Sequence, residues 1–120
     1  MHKIDDLIKH DKYVERLCEQ IDPHYDLIFK HVPLFTRRRS SRKKRMVGEI
    51  DILAFKDDYY DIYEVKCSHR ITKARKQLSR IQKSLKMDRQ LRNAYFFCGE
   101  SGQLEALRQK GLKSQEQSHP

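Results

Sequence analysis

Three short segments decide how this chain folds: MVGEIDILAF over residues 46–55, YDIYEVKC over residues 60–67 and NAYFFC over residues 93–98. The first two are rich in β-branched and aromatic residues, and only a short turn separates them. They therefore predict two antiparallel strands joined as a hairpin. The third segment is almost wholly apolar, which is typical of a strand buried on both faces beside a parallel neighbour.

The segments around these strands predict helices that pack on the sheet. Apolar residues recur at helical spacing over residues 3–21 and over residues 71–91, so each stretch predicts an amphipathic helix. A strand over residues 26–33 and a weak helix over residues 101–110 complete the order α-β-β-β-α-β-α. Because a helix links two strands, we expect a parallel crossover. The predicted class is α/β, with a mixed central sheet flanked by helices.

The chain has 120 residues, which is enough for one domain and too few for two. We expect that domain to span residues 1–110 and the polar residues 111–120 to form a frayed tail. No apolar run approaches the roughly 18 residues of a membrane helix, and no secretory leader is visible. We therefore expect a cytoplasmic protein with no membrane partner. The three cysteines and six histidines lack zinc-site spacing.

Basic residues are concentrated in two segments of a chain whose formal net charge is +9. Residues 37–45 hold seven basic side chains and no acid, and residues 66–92 hold ten with one acid, whereas the remainder has nine basic and sixteen acidic residues. Such clustering predicts a polyanionic partner, with nucleic acid the first candidate; a face kept basic for solubility is the alternative. The candidate phosphate contacts lie in the loop over residues 36–45 and in the second basic segment: Arg37, Arg38, Arg39, Arg42, Lys43, Lys44, Arg45, Arg70 and Lys73.

Charged residues interrupt both strands of the predicted hairpin. Side chains alternate along a strand, so Asp51 and Glu49 share one face of the first strand, and Glu64 and Lys66 project side by side from the second. The other face of the first strand holds the apolar set Ile50, Ile52 and Ala54. Buried charges need a partner or a metal ion. Mg²⁺ or Mn²⁺ could bind Asp51, Glu64 and the carbonyl of Val65, while Lys66 orients or deprotonates a water that hydrolyses a phosphodiester.

The segment Gly48-Glu-Ile-Asp51 followed by Tyr63-Glu-Val-Lys66 resembles the signature of the PD-(D/E)XK nuclease superfamily, which includes type II restriction enzymes and archaeal Holliday-junction resolvases. The similarity covers about residues 12–98 and is nearest to the small resolvase-like members. Ile50 stands where the name-giving proline would be. The resemblance implies a restriction-endonuclease-like fold. In that fold Asp51 and Glu64 would bind the metal, and Lys66 would serve the attacking water.

Two further site residues follow from the resemblance. The family commonly carries an acid on its first helix near the metal, and Glu15 lies closer to the apolar face of that helix than the other candidate, Glu19. Gln77, on the second helix, resembles an extra motif in which a glutamine supports the site or contacts the nucleic-acid backbone. The implied protein is a Mg²⁺-dependent or Mn²⁺-dependent DNA endonuclease of recombination, repair or mobile-element processing. A homodimer is expected, because paired cuts need two copies.

Two alternatives stay open at the level of sequence. A domain of the same fold could bind nucleic acid without cutting it, or a basic interaction protein could use Asp51, Glu64 and Lys66 only as structural ion pairs. The basic loop could likewise be a localisation tract, although its position directly before the strand of Asp51 favours phosphate binding. Cleavage that depends on Mg²⁺ and stops in EDTA would distinguish the nuclease from both alternatives.

Overall fold

The computed structural model describes residues 2–36, 45–68, 71–84 and 88–107. In these ranges the chain forms two α-helices, a short 3-10 turn and five strands: α1 His2–Ile21, the turn Asp22–His24, β1 Leu27–Thr36, β2 Arg45–Lys56, β3 Tyr59–Lys66, α2 Ile71–Ser84, β4 Gln90–Cys98 and β5 Gln103–Leu107. Neither helix in these ranges is long and apolar enough to cross a membrane. The predicted tail over residues 111–120 and most of the predicted basic loop lie outside the described residues.

All five strands join one mixed sheet in the order β1-β2-β3-β4-β5. β1, β2 and β3 are antiparallel to one another in turn, β3 and β4 are parallel, and β5 returns antiparallel to β4. The segment between the two parallel strands contains α2. The predicted hairpin, the predicted parallel crossover and the α/β class with a mixed sheet are therefore confirmed.

The C-terminal part of the described chain differs from the prediction. The prediction of a helix over residues 101–110 is wrong for the described residues up to 107. The segment Gln103–Leu107 forms β5 instead and pairs with β4. Gly102 has a φ of 72°, which suits glycine, and its N–H donates to the carbonyl of Cys98 at 2.8 Å, so the chain turns back on itself. Pairing with β5 satisfies backbone groups of β4, and this outweighs the helical preference of the segment Gln103–Leu107.

β4 begins earlier than predicted. The described part of α2 ends at Ser84, whereas a helix was expected over residues 71–91. Gln90 and Leu91 already belong to β4, where they pair with Tyr59 and Tyr60 of β3. The backbone of β3 therefore has a partner from its first residue onward.

The core consists of two clusters that use alternate residues of the central strands. Val14 of α1 packs in one cluster with Val65 of β3, whereas Leu78 of α2 packs in the other with Ile62 of β3. The helices do not cover the sheet evenly, since large apolar side chains stay exposed on β1, at the start of β2 and on β5: Leu27, Phe29, Phe35, Met46 and Leu104. The predicted flanking by helices is therefore only partial.

The alternation of side chains breaks in the middle of β2, and this corrects one prediction. Ile52 packs in the cluster of α1 but Ile50 packs in the cluster of α2, although simple alternation predicts a shared face. Asp51 lies between them, and His31 of β1 has a positive φ of 53° at the same level of the sheet. Both strands change face at this level, and the candidate site lies there.

Candidate metal centre

β2 and β3 separate at the position where two acids are buried. Ile52 and Tyr63 form the last pair of the two strands in this direction. Beyond them the carboxylate of Asp51 enters the gap, where its Oδ2 accepts the backbone N–H of Val65 at 2.8 Å. Asp51 is 3% exposed and Glu64 is 1% exposed. The structure therefore brings the two predicted metal ligands together in one buried place, where each shifts the pKa of the other.

Glu64 has an unpartnered oxygen. Its Oε1 lies 3.8 Å from Lys66 Nζ, which is beyond hydrogen-bond distance. Its Oε2 is the single buried side-chain polar atom in the described part of the chain that has no hydrogen-bond partner. Leaving such an atom unsatisfied costs about 1–3 kcal/mol, and more when the group is charged. This oxygen is therefore available as a ligand atom for a cation.

The two buried carboxyl groups shift each other's pKa in opposite directions. Burial and the neighbouring Asp51 raise the pKa of Glu64 to about 10. Burial also acts to raise the pKa of Asp51, but interactions with His10, Glu64 and the Val65 N–H outweigh it, so this pKa is lowered overall. At neutral pH the pair therefore carries one negative charge and retains one proton. A divalent cation would displace that proton, because it favours both ionised carboxylates.

Gln77 of α2 holds Lys66 beside the two acids. Lys66 Nζ donates to Gln77 Oε1 at 3.4 Å, and Gln77 Nε2 donates to the backbone carbonyl of Glu49 at 3.1 Å. The amide of one helix residue therefore links the interior of β2 to the last residue of β3. These contacts bring both predicted residues, the lysine and the glutamine, to the buried acids.

α1 brings a histidine to the acids. His10 is half-buried, and its Nε2 lies 3.3 Å from Asp51 Oδ2 and 3.0 Å from the carbonyl oxygen of Val65. Neighbouring ligands of one octahedral ion are about 3 Å apart when each lies about 2.1 Å from the ion. His10 Nε2 therefore lies at ligand spacing from each of these two oxygens. The hydrogen bond with Asp51 raises the pKa of His10 against the opposing effect of burial.

The structure does not bring Glu15 into this group. Both of its carboxylate oxygens bind Lys30 Nζ of β1 in an exposed ion pair, one of them at 2.9 Å. His10 instead precedes the buried residues Val14 and Leu17 at helical spacing. Its position in the apolar stripe of α1 is the signal that could have identified it from the sequence.

His31 is a second histidine that the sequence analysis did not select. Its Nδ1 lies 3.3 Å from Glu49 Oε1, and one potential ligand atom from each of His31, Glu49 and Asp51 lies within 4.8 Å of the others. No sequence spacing predicts this group, because His31 joins it only where β1 changes face at a positive φ.

Most of the predicted phosphate contacts lie outside the described residues. Lys73 is exposed on α2, and Arg45 is the first residue of β2. The others stay predictions: Arg37, Arg38, Arg39, Arg42, Lys43, Lys44 and Arg70.

No protein-family model matches this sequence, and no curated protein matches it either. The function must therefore be inferred from the site: two buried carboxyl groups, a lysine held by an amide, and a histidine at ligand spacing.

Proposed function

We propose that this protein is a metal-dependent endonuclease that hydrolyses phosphodiester bonds in DNA. The observation that carries the proposal is the unpartnered Oε2 of Glu64, which is buried next to Asp51 and close to Lys66. Carboxylate oxygens are the donors that Mg²⁺ and Mn²⁺ prefer. Most buried polar atoms in native proteins have a hydrogen-bond partner, so the unpartnered oxygen favours a cation site over a purely structural pair.

Four groups would hold the cation: the carboxylates of Asp51 and Glu64, the carbonyl oxygen of Val65 and the imidazole of His10. They suit a divalent ion, because His10 Nε2 already lies 3.3 Å from Asp51 Oδ2 and 3.0 Å from the Val65 carbonyl. Such an ion, when bound, polarises a phosphate and lowers the pKa of water. His10 takes the position on the first helix for which the resemblance suggested Glu15.

Lys66 supplies a positive charge to the phosphate or orients the attacking water. It is partly accessible, and Gln77 keeps its ammonium group at a fixed place by a hydrogen bond of 3.4 Å. The same glutamine holds the carbonyl of Glu49, so the lysine stays in register with the strand that carries Asp51. Gln77 is therefore a positioning residue in this proposal.

The order of elements supports the nuclease assignment. A hairpin whose second strand carries Glu64 and Lys66, followed by α2 and a parallel β4, is the restriction-endonuclease-like arrangement that the resemblance to PD-(D/E)XK nucleases implies. DNA is the proposed substrate because seven basic side chains lie within residues 37–45, directly before the strand of Asp51. A homodimer that makes paired cuts is part of the same proposal.

A plasmid-nicking assay tests the proposed function. Supercoiled DNA is incubated with the full chain in Mg²⁺, in Mn²⁺ and in EDTA, and the same series is run with Glu64→Gln. The matched control is Glu19→Gln, which changes an exposed acid of α1. We expect the wild type and the control to nick DNA with metal only, and Glu64→Gln to be inactive.

Two results would contradict the assigned site: cleavage that persists in EDTA, and cleavage by Glu64→Gln at the wild-type rate. Salt-dependent DNA binding without cleavage in any metal would favour the non-catalytic module of the same fold. Neither binding nor cleavage would favour the interaction protein with structural ion pairs.

A further inference from the structure

Gly99, the first residue after β4, lies in direct contact with the ring of Tyr13 on α1. A Cβ atom at Gly99 would lie 2.1 Å from Cδ2 of that ring and 2.4 Å from its Cε2 and Cγ. Carbon atoms in van der Waals contact are about 3.5–4.0 Å apart, so only glycine fits against the ring where it now lies. At this point α1 therefore packs on the backbone that follows β4.

The same glycine is bound to the end of β3. Its backbone N–H donates to the carbonyl of Lys66 at 2.8 Å. The residue before this lysine is Val65, whose carbonyl oxygen lies 3.0 Å from His10 Nε2. Gly99 therefore contacts both elements that meet at the histidine: α1 through the ring of Tyr13, and β3 through a backbone hydrogen bond.

Tyr13 lies one helical turn after His10, so both rings project from neighbouring turns on the same side of α1. Beyond them the helix packs on the sheet, since Val14 is 0% exposed. Before them the helix is open to solvent, since Leu7 is 62% exposed. His10 therefore lies where the packed part of α1 ends, and the contact with Gly99 is made one turn away from it.

We propose that Gly99 and Tyr13 are positioning residues of the metal centre: the ring that rests on the glycine sets the distance of α1 from β3 and so holds His10 at ligand spacing. The inference rests on the proposed function, because it requires His10 to be a ligand of the cation. A methyl group at residue 99 would displace the ring by more than about 1 Å. This exceeds the roughly 0.5 Å within which a functional group must be held, so the imidazole would leave the ion.

Co²⁺ binding to the full chain tests this role without any activity measurement. Calorimetry gives the affinity, and the visible absorption of bound Co²⁺ reports whether an imidazole nitrogen is among its ligands. The series comprises the wild type, His10→Asn, Gly99→Ala and the variant that combines these two changes. If Gly99→Ala does not fold, as judged by circular dichroism, Tyr13→Ala replaces it, because it removes the same contact without adding a group.

Two controls separate positioning from other effects. Tyr13→Phe removes only the hydroxyl and keeps the three ring carbons that lie against Gly99. Leu107→Ala removes a buried side chain of β5 from the core cluster of α2, so it lowers stability without touching α1.

His10→Asn and Gly99→Ala should each weaken Co²⁺ binding by about tenfold or more and give the same altered spectrum. The combined variant should bind Co²⁺ no more weakly than His10→Asn, because both changes remove the same ligand. Tyr13→Phe and Leu107→Ala should keep the wild-type affinity and spectrum, although Leu107→Ala unfolds at a lower temperature.

Three outcomes would overturn the positioning role and leave the proposed function intact, provided that Glu64→Gln abolishes Co²⁺ binding. The first is a folded Gly99→Ala with the affinity and spectrum of the wild type. The second is a loss in Gly99→Ala that is equally large when His10 is already replaced. The third is an equal loss in Leu107→Ala, because reduced stability would then explain the effect. A wild type that binds no Co²⁺, Mn²⁺ or Mg²⁺ would remove the proposed function as well.

Discussion

β3 carries two buried acids three residues apart, and their surroundings differ completely. Asp61 is 0% exposed and Glu64 is 1% exposed. Asp61 accepts hydrogen bonds from Arg92 Nε at 3.1 Å, from the backbone N–H of Asn93 at 3.0 Å and from the hydroxyl of Tyr25. Glu64 lies beside Asp51, its Oε1 is 3.8 Å from Lys66 Nζ, and its Oε2 has no hydrogen-bond partner in the structure described here.

The group around Asp61 is a closed structural network. Arg92 also stacks on the ring of Tyr59 at 3.9 Å, and the hydroxyl of Tyr25 lies 2.6 Å from that of Tyr63. These contacts tie the segment just before β1 to β3 and β4. Burial and the hydrogen bond to Asp61 raise the pKa of Tyr25. Burial alone therefore does not distinguish the two acids; the unpartnered oxygen of Glu64 does, and the proposed metal centre rests on it.

The largest expected effect is on catalysis at Asp51, Glu64 and Lys66, which we call the open group because Glu64 has an unpartnered oxygen. Asp51→Asn should lower single-turnover nicking by about a thousandfold, or about 4 kcal/mol of transition-state stabilisation, because the ion loses an anionic ligand. Urea unfolding should show a loss of stability much smaller than this loss of activity, since the amide oxygen can still accept the Val65 N–H. If Asp51→Asn cuts DNA at a rate close to that of the wild type, the open group is not the active site.

A substitution in the network around Asp61 should have the opposite effect: it should lower stability and leave catalysis unchanged. Arg92→Ala should reduce the free energy of unfolding by roughly 3 kcal/mol, because it leaves the carboxylate of Asp61 buried without its cation. The protein that remains folded should keep its metal-dependent nicking. Urea unfolding measures this loss of stability, and Arg75→Ala, which changes an exposed arginine of α2, is the matched control. A loss no larger than that of the control would mean that Asp61 is not held by this network.

Lys66→Ala should lower nicking by about a hundredfold. Mn²⁺ affinity, measured by calorimetry, should stay within a small factor of the wild-type value, because the lysine is not a ligand. Lys76→Ala, on the exposed side of α2, is the matched control. Lost Mn²⁺ binding in Lys66→Ala alone would show that the lysine and Glu64 form a structural pair.

The pKa of Glu64 predicts a pH dependence of the stability without metal. The folded pKa is about 10 against an ordinary value of 4.5, so the folded protein keeps a proton that the unfolded chain releases. Stability is therefore highest below the unfolded pKa and falls as pH rises toward the folded pKa. The lowered pKa of Asp51 affects stability in a different pH range. Its contribution to the free energy of unfolding is lost as pH falls below the ordinary value of 3.8.

Urea unfolding in EDTA between about pH 5 and about pH 9 measures this dependence. The wild type should lose stability with rising pH relative to Glu64→Gln, and saturating Mn²⁺ should reduce that loss. Identical pH slopes for the two proteins would contradict a proton held by the buried pair.

The central fold could be predicted because its signals are local. The hairpin strands carry period-two patterns with a short turn between them, and the crossover follows from a helical stripe placed between two strands. The segment Gln103–Leu107 could not be predicted in this way, since its residues favour a helix and only pairing with β4 makes it a strand. Gly99 and Gly102, which flank the turn, were the available hint of a hairpin.

The site was predictable only where the residues lie in adjacent strand or helix patterns. Asp51, Glu64 and Lys66 follow from the hairpin, and the structure brings Gln77 to them. His10 depends on how α1 crosses the sheet, which no local pattern specifies. The simple alternation of side chains also fails at Asp51, because the strand changes face there.

Thermal unfolding with Mn²⁺ tests most directly whether the unpartnered oxygen of Glu64 is a cation ligand. A cation at about 100 times its Kd adds about 2.7 kcal/mol of stability, so the wild-type and Glu19→Gln midpoints should rise by about 5 °C or more. Glu64→Gln should show little or no rise. Equal rises in the wild type and Glu64→Gln, or no rise in the wild type, would contradict the metal centre.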